Sequence, residues 1–189
     1  MKTDVALIEA TLQGDQRAFE ELVRAYQNRV FGFVCHYLGD HQEAEDVVQE
    51  TFVQAFRKLA SFRRASSFHT WIYRIAFNLS ATRRKRRSRQ NSIDLQSSQA
   101  NRVLDRAESP EQQLTRQERA VQVQAALAEM SEEYRTILVL REMNDCDYDA
   151  IAEILAIPVG TVRSRLHRAR LELRERLQPL LVEACVEQS

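Results

Sequence analysis

Turn-forming residues are scarce in this chain: its 189 residues include only 4 Gly and 3 Pro, too few for the closely spaced turns of an all-β fold. Cysteine is also sparse. Cys35, Cys146 and Cys185 lie far apart and odd in number, with no C-x-x-C pair and no His at zinc-ligand spacing, which argues against a disulfide framework or a structural zinc and for reduced thiols. No apolar run approaches the roughly 18 residues of a membrane span. The start, Met1 to Ala10, carries Asp4 and Glu9 where a signal peptide needs an apolar core, so a cytoplasmic protein without membrane insertion is expected. There is no glycine-rich phosphate loop, and His36, His41, His69 and His167 show no metal spacing such as H-E-x-x-H. A hydrolase or nuclease, with catalytic residues, metal or cofactor, is not expected.

What is present is a composition with 44% hydrophobic and 29% charged residues, globular and rich in Glu, Gln, Arg, Ala and Leu, the good helix formers. The fold class is read as all-α. Net charge is zero, yet the charges are segregated. Residues 83–89 read Arg-Arg-Lys-Arg-Arg-Ser-Arg, whereas Asp40, Glu43, Glu45, Asp46 and Glu50 form an acidic stretch. Such a chain can touch both a phosphate backbone and a basic protein surface.

Helical periodicity falls into two blocks. In residues 4–88, Phe19, Leu22, Val23, Tyr26, Val30, Phe31, Val34 and Leu38 follow three-and-four spacing until Gly39-Asp40 breaks it. A second helix carries Ala44, Val48, Phe52, Ala55, Phe56 and Leu59 on one face. After a polar loop from Arg63 to Ser67, a third directs Trp71, Ile72, Ile75 and Leu79 inward. Residues 89–114 are polar, contain Pro110, and read as a linker long enough for independent domain motion. The second block has helices over Leu114–Met130, from an N-cap at Ser131 to Met143, over Tyr148–Leu155, and from Val159 to about Gln178, with Pro158 at the start of the last.

The last two helices read as a helix-turn-helix. At about 100° per residue, Val162, Leu166, Ala169 and Leu173 share one side, while Gly160, Ser164, His167 and Arg168 point away, with Arg163 on the flank. One buried stripe with Arg, Ser and His opposite it suits a major groove; the plain alternative is a solvated basic face. In the first block, Tyr73 and Phe77 fall opposite the apolar stripe, one turn apart and beside the basic run. Exposed aromatics there suit unpaired bases, with Arg74 and Asn78 adding hydrogen bonds; packing against another helix is the alternative. Glu43, Asp46 and Glu50 share one edge beside Val53, either a solvated face or a docking stripe for a basic partner.

These segments resemble a known family. Asp46-Val-Val-Gln-Glu-Thr-Phe-Val-Gln-Ala-Phe is similar to the region 2 helix of bacterial sigma factors, Phe68-His-Thr-Trp-Ile-Tyr-Arg-Ile-Ala-Phe-Asn-Leu to their promoter-melting segment, and Pro158-Val-Gly-Thr-Val-Arg-Ser-Arg-Leu-His-Arg-Ala-Arg to their region 4 helix. Their order and the chain length resemble the extracytoplasmic-function group, which keeps only regions 2 and 4. Phe77, Thr82 and the Met130-Ser131 pair depart from the usual family residues.

The resemblance implies region 2 over 1–88, a linker over 89–114, region 4 over 115–180 and a tail over 181–189. It implies docking on the clamp helices of the largest polymerase subunit through Glu43, Asp46, Gln49, Glu50 and Val53, and a contact with the flap of the second-largest subunit. Single-stranded minus-ten DNA is assigned to Arg63, Arg64, Trp71, Tyr73, Arg74, Phe77, Asn78, Arg83, Arg84, Arg86 and Arg87. Duplex minus-thirty-five DNA is assigned to Thr161, Arg163, Ser164, Arg165, His167 and Arg168. An anti-sigma factor is an implied partner. The competing expectation, a DNA-binding regulator that never docks on polymerase, accounts for residues 130–178 and leaves the acidic edge idle.

Overall fold

The computed structural model describes residues 3–63, 65–91 and 121–186. Every regular element among them is helical. Helices α1 (Asp4–Leu12), α2 (Gln16–Leu38), α3 (His41–Lys58) and α4 (Phe68–Asn91) form the first cluster, with a 3-10 turn over Leu59–Ser61. Helices α5 (121–129), α6 (Glu132–Leu138), α7 (Tyr148–Leu155) and α8 (Val159–Val186) form the second. The expected linker lies outside the described residues except at its start, where α4 continues to Asn91. Helix α8 likewise runs on to Val186, past the expected end near Gln178.

Local chemistry sets the boundaries. Gly39 turns left-handed at φ +70 and its N–H returns to the Cys35 carbonyl, ending α2. The next residue, Asp40, caps α3 by accepting from the Glu43 N–H at 2.9 Å. Ser67 caps α4 through the Thr70 N–H at 3.0 Å, and Asp147 caps α7 through the Ala150 N–H at 2.7 Å. The turn of the helix-turn-helix is made by Ala156 in the left-handed region at φ +53. Pro158 then supplies a carbonyl that receives the Thr161 and Val162 N–H groups at 2.9 and 3.1 Å. Ser131 caps α6 as expected.

The stripe expected on α2 holds at Leu22, Val30 and Val34, which are fully buried. On α3, Val47 is buried and Phe56 is exposed, edge-on to Phe19 at 5.0 Å, the reverse of the expected placement of Phe56. On α4 the buried stripe is Phe68, Ile72, Tyr73, Ala76 and Ser80, while Trp71, Ile75 and Leu79 are only half-buried. This rotation has a cause: α4 packs on α2 and α3 with one side and on α7 with the other. Two partners on different sides bury more than one stripe, and a single-face reading of the periodicity misplaces part of it.

The same pressure explains the irregular end of α6. Five consecutive residues, Thr136 to Leu140, are buried, more than one helical face supplies. Helix α6 lies between α2 and α8, and its path widens into a π turn over Val139–Met143. The widened turn is held by the Asn144 side-chain amide donating to the Val139 carbonyl at 2.9 Å and by the Cys146 N–H donating to the Leu140 carbonyl at 3.0 Å.

The two helical clusters share one apolar core, continuous from Leu7 and Ile8 to Leu166 and Ala169. In this arrangement the two clusters pack together rather than standing apart. Across the seam, the Tyr73 phenol donates to the Asn144 side-chain carbonyl at 2.5 Å. The Gln124 amide also lies 3.4 Å from His36, while within α4 the His69 ring is tilted against Tyr73 at 4.6 Å. Burial, then the neighbouring Arg29, holds His69 below its ordinary value near 6.5. Burial, then Arg135, does the same to His36. In both, the packed form disfavours the charged imidazolium.

Two outcomes are expected. Replacing fully buried Leu166 by Ala should lower unfolding free energy by about 2–5 kcal/mol, measured by urea denaturation with the fluorescence of Trp71, the lone tryptophan. The depressed histidines set the sign of the pH response. Below their unfolded value near 6.5, the unfolded chain takes protons that the folded chain refuses, so stability is complete above that value and falls on acidification. Tm should drop between about pH 7.5 and 5.5, and the drop should be smaller in a His36→Gln/His69→Gln variant.

Candidate polymerase and nucleic-acid interfaces

Helix α3 carries the expected docking residues on one outer edge. Glu43, Asp46, Glu50 and Val53 follow at intervals of three or four, so the helix lines them up, with Gln49 adjoining. Asp46, Gln49, Glu50 and Val53 are exposed, and Glu43 is half-buried. Beside this edge runs a groove between α2 and α3 of about 560 Å³, lined by Val23, Phe31, Val48, Gln49, Phe52 and Val53. The groove joins apolar surface to the acidic edge, a pairing that the helical wheel of α3 alone does not display.

The basic run does not stand apart from that edge. Arg83 lies 3.1 Å from Asp46 and 3.8 Å from Glu43, and Arg87 lies 3.4 Å from Glu43. Arg84 donates to the Tyr37 carbonyl at 3.1 Å, sits over the Tyr37 ring at 5.6 Å, and pairs with Glu132 of the second cluster at 3.2 Å. Arg86 is exposed. Two surfaces that the sequence presents as separate, one acidic and one basic, meet along α3 and α4.

The expected single-strand residues are brought together on α4 and the loop before it, but not as an open platform. Tyr73 is fully buried, against the expectation that it faces outward. The reason is the second cluster: α7 and the turn before it cover this side of α4. Phe77 is half-buried and edge-on to Tyr37 at 5.5 Å. Trp71 packs against Phe62 at 5.0 Å and Phe68 at 5.8 Å. Asn78 and Arg63 are exposed, and Arg74 is exposed with Glu153 at 3.5 Å. Arg64 lies outside the described residues.

On α8, Val162, Leu166 and Ala169 are buried and Leu173 half-buried, while Gly160, Arg163, Ser164, His167 and Arg168 are exposed, as the helical spacing requires. Thr161 is half-buried, and its carbonyl accepts the Ser164 hydroxyl at 3.1 Å. Arg165 departs from this surface: it is half-buried and turned to Glu133 of α6 at 3.2 Å. Arg170 is likewise held by Glu142 at 2.6 Å. Arg163, His167 and Arg168 have no side-chain partner among the described residues, so the outward face offers two guanidinium groups and an imidazole.

Sequence reasoning missed Arg29, Asn144 and Glu153, which join the clusters. Arg29 donates to the Asn144 carbonyl at 3.3 Å and to the Asp145 carboxylate at 2.9 Å. Their contacts bridge separations of 71 to 116 residues along the chain, invisible to any local window. Among the described residues no group of three or more His, Cys, Asp or Glu is placed to hold a metal ion, and no helix is long and apolar enough to cross a membrane.

Residues 22–90 match the Sigma-70 region 2 family, and residues 120–173 match Sigma-70, region 4. The RNA polymerase sigma-H factor of Pseudomonas aeruginosa is 40% identical over 187 residues, spanning 96% of this chain and 97% of its own. The ECF RNA polymerase sigma-E factor of Haemophilus influenzae is 39% identical over 185 residues, spanning 95% and 97%. Among solved structures, the sigma factor RpoE of Bartonella quintana, in complex with the anti-sigma factor NepR, aligns with a TM-score of 0.72 at 25% identity, covering 85% of this chain and 96% of that one. CnrH, in complex with the cytosolic domain of CnrY, shares the fold at a TM-score of 0.69 and 23% identity. With both sigma-70 regions present in order on an all-helical frame, and relatives this similar along nearly its whole length, the chain belongs to the extracytoplasmic-function family of RNA polymerase sigma factors.

Proposed function

We propose that this sigma factor, whose family directs RNA polymerase to promoters, divides the work between its two helical clusters as follows. Residues 1–88 act as region 2 and residues 115–180 as region 4, joined by a linker over 89–114 and followed by a tail. The acidic edge Glu43, Asp46, Gln49 and Glu50, with Val53 and the apolar groove beside it, docks on the clamp helices of the largest polymerase subunit; region 4 meets the flap of the second-largest. Arg63, Arg64, Trp71, Tyr73, Arg74, Phe77 and Asn78 take single-stranded minus-ten DNA, with Arg83, Arg84, Arg86 and Arg87 on phosphates. Thr161, Arg163, Ser164, His167 and Arg168 take the minus-thirty-five duplex, and Arg165 holds the recognition helix to α6. An anti-sigma factor is a partner in keeping with the NepR-bound relative.

The observation that carries this division is the occurrence of two sigma-70 regions in one chain, each with an exposed surface of the required charge. An acidic, partly apolar edge suits a basic protein partner, whereas Arg163, His167 and Arg168 on one helix face suit the acceptor-rich major groove. Nothing in these roles makes or breaks a covalent bond. Binding energy is converted into position on duplex DNA and into capture of bases once the strands part. Both clusters fixed on one polymerase form a bivalent reader whose halves can each be weak alone.

Two measurements test it. Asp46→Arg/Glu50→Arg changes two exposed side chains, so the protein should fold normally by circular dichroism while its affinity for core polymerase falls at least about tenfold; equal binding by the variant would remove the docking edge. In holoenzyme, Arg168→Ala should weaken binding to minus-thirty-five duplex by about 1–3 kcal/mol if it reads a base. If it contacts only a phosphate, all sequences should weaken alike and the salt dependence should become shallower. Footprinting titrations at several salt concentrations separate these cases, and wild-type behaviour throughout would take Arg168 out of the interface.

A further inference from the structure

Six arginines lie along α8, and they divide by what holds them. Arg165 meets Glu133 of α6 at 3.2 Å, and Arg176 meets Glu129 of α5 and Glu172 at 2.7 and 2.9 Å. Both are half-buried on the flank of α8 that faces those helices, so their pairing belongs to the packing. Arg170 is different. It is exposed, yet one carboxylate oxygen of Glu142, in the π turn, accepts from its Nε at 3.0 Å and from a terminal nitrogen at 2.6 Å. At about 100° per residue, Arg170 falls in line with Arg163 and Arg174 along the other flank of the helix. Those two, like Arg168, are exposed and have no side-chain partner among the described residues.

An ion pair this exposed contributes little to the stability of the fold, but it changes the charge that one flank of the helix shows. We infer that Glu142 is a specificity-determining residue: it holds Arg170 back from DNA phosphates, so that Arg163, His167 and Arg168 meet the duplex without a further sequence-blind contact. This rests on the assignment of α8 to duplex DNA. Phosphate contacts attract every sequence alike, whereas discrimination comes from base edges. A recognition helix reads bases with its N-terminal residues. Arg170 stands about 10 Å further along the axis than Arg163, where such a helix leaves the bases and passes the sugar-phosphate backbone. A carboxylate on that guanidinium cancels it as a phosphate ligand and repels the phosphate as well. Non-specific affinity falls, and the ratio of specific to non-specific binding rises.

Glu142→Gln removes the charge and keeps the side-chain shape. Anisotropy titrations of holoenzyme with a short labelled duplex of random sequence, at several salt concentrations, read phosphate contacts as the slope of log affinity against log salt. The variant should bind this duplex roughly threefold more tightly, with a slope steeper by about 0.9, one added phosphate. Its preference for a duplex that wild-type holoenzyme selects from a random library should fall by a similar factor. In an Arg170→Gln background, Glu142→Gln should change neither quantity; the same gain there would mean that the carboxylate acts through the general field of the protein, and overturns the inference. An unchanged slope in Glu142→Gln itself also overturns it, whatever happens to the unfolding midpoint. Arg163→Gln on the same duplex separates that result from failure of the duplex-reading assignment. A slope made shallower by Arg163→Gln, with Glu142→Gln silent, removes the role of Glu142 alone, whereas two silent variants take α8 off the DNA.

Discussion

A phenol sealed from water must find a hydrogen-bond acceptor, and the answer the chain provides for Tyr73 organises the contact between its two halves. The acceptor is Asn144, whose own amide is already committed to the Val139 carbonyl and whose main-chain carbonyl receives Arg29. The π turn after α6 sets the position of Asn144, Asn144 sets the position of Tyr73, and Tyr73 sets how α4 meets the second cluster. Leaving either buried partner unsatisfied costs about 1–3 kcal/mol. The surrounding ion pairs are different: Arg29–Asp145, Arg74–Glu153 and Arg84–Glu132 all have partly exposed side chains, so each contributes at most about 1 kcal/mol.

That distribution sets what it would cost to open the contact. A seam sealed mainly by one buried hydrogen bond and apolar packing, and oriented by exposed ion pairs, is specific in register without requiring a large charge desolvation to open. On opening, Tyr73 would exchange Asn144 for water, which limits the penalty on the open side. The depressed basicity of His36 fits the same logic: it lies near Arg135 of the second cluster, so a positive charge there would oppose the packing, whereas the Arg29 beside His69 belongs to the same cluster as His69.

Most of this architecture is legible in the sequence, and the exceptions share a cause. The break at Gly39-Asp40, the cap at Ser131, and the inward and outward faces of α8 follow from local chemistry, because α8 buries one stripe against its own cluster. Tyr73, Phe56 and the π turn were not legible. Each depends on a second neighbour that no local window contains: α7 over Tyr73, α2 and α8 on both sides of α6, and the ring of Phe19 beside Phe56. The spacing of Tyr73 and Phe77 placed them on one face of α4, but spacing does not say what covers that face. Likewise Arg165 sits among groove-facing neighbours in sequence, and only Glu133 in space explains why it turns away.

The zero net charge hides the feature that links the proposed roles. Glu43 and Asp46 belong to the acidic edge, yet they are also the partners of Arg83 and Arg87 from the basic run. A basic protein surface that takes the carboxylates competes with the arginines, and a phosphate that takes the arginines competes with the carboxylates. Under the proposed roles, polymerase docking and DNA binding therefore break the same internal pairs. Whichever occurs first relieves the second of that competition, and by linkage the effect is equal in both directions. Because these pairs are exposed, the coupling they carry is modest. A chain with no net charge can in this way hold two oppositely charged surfaces in check, each quieting the other until a partner is present.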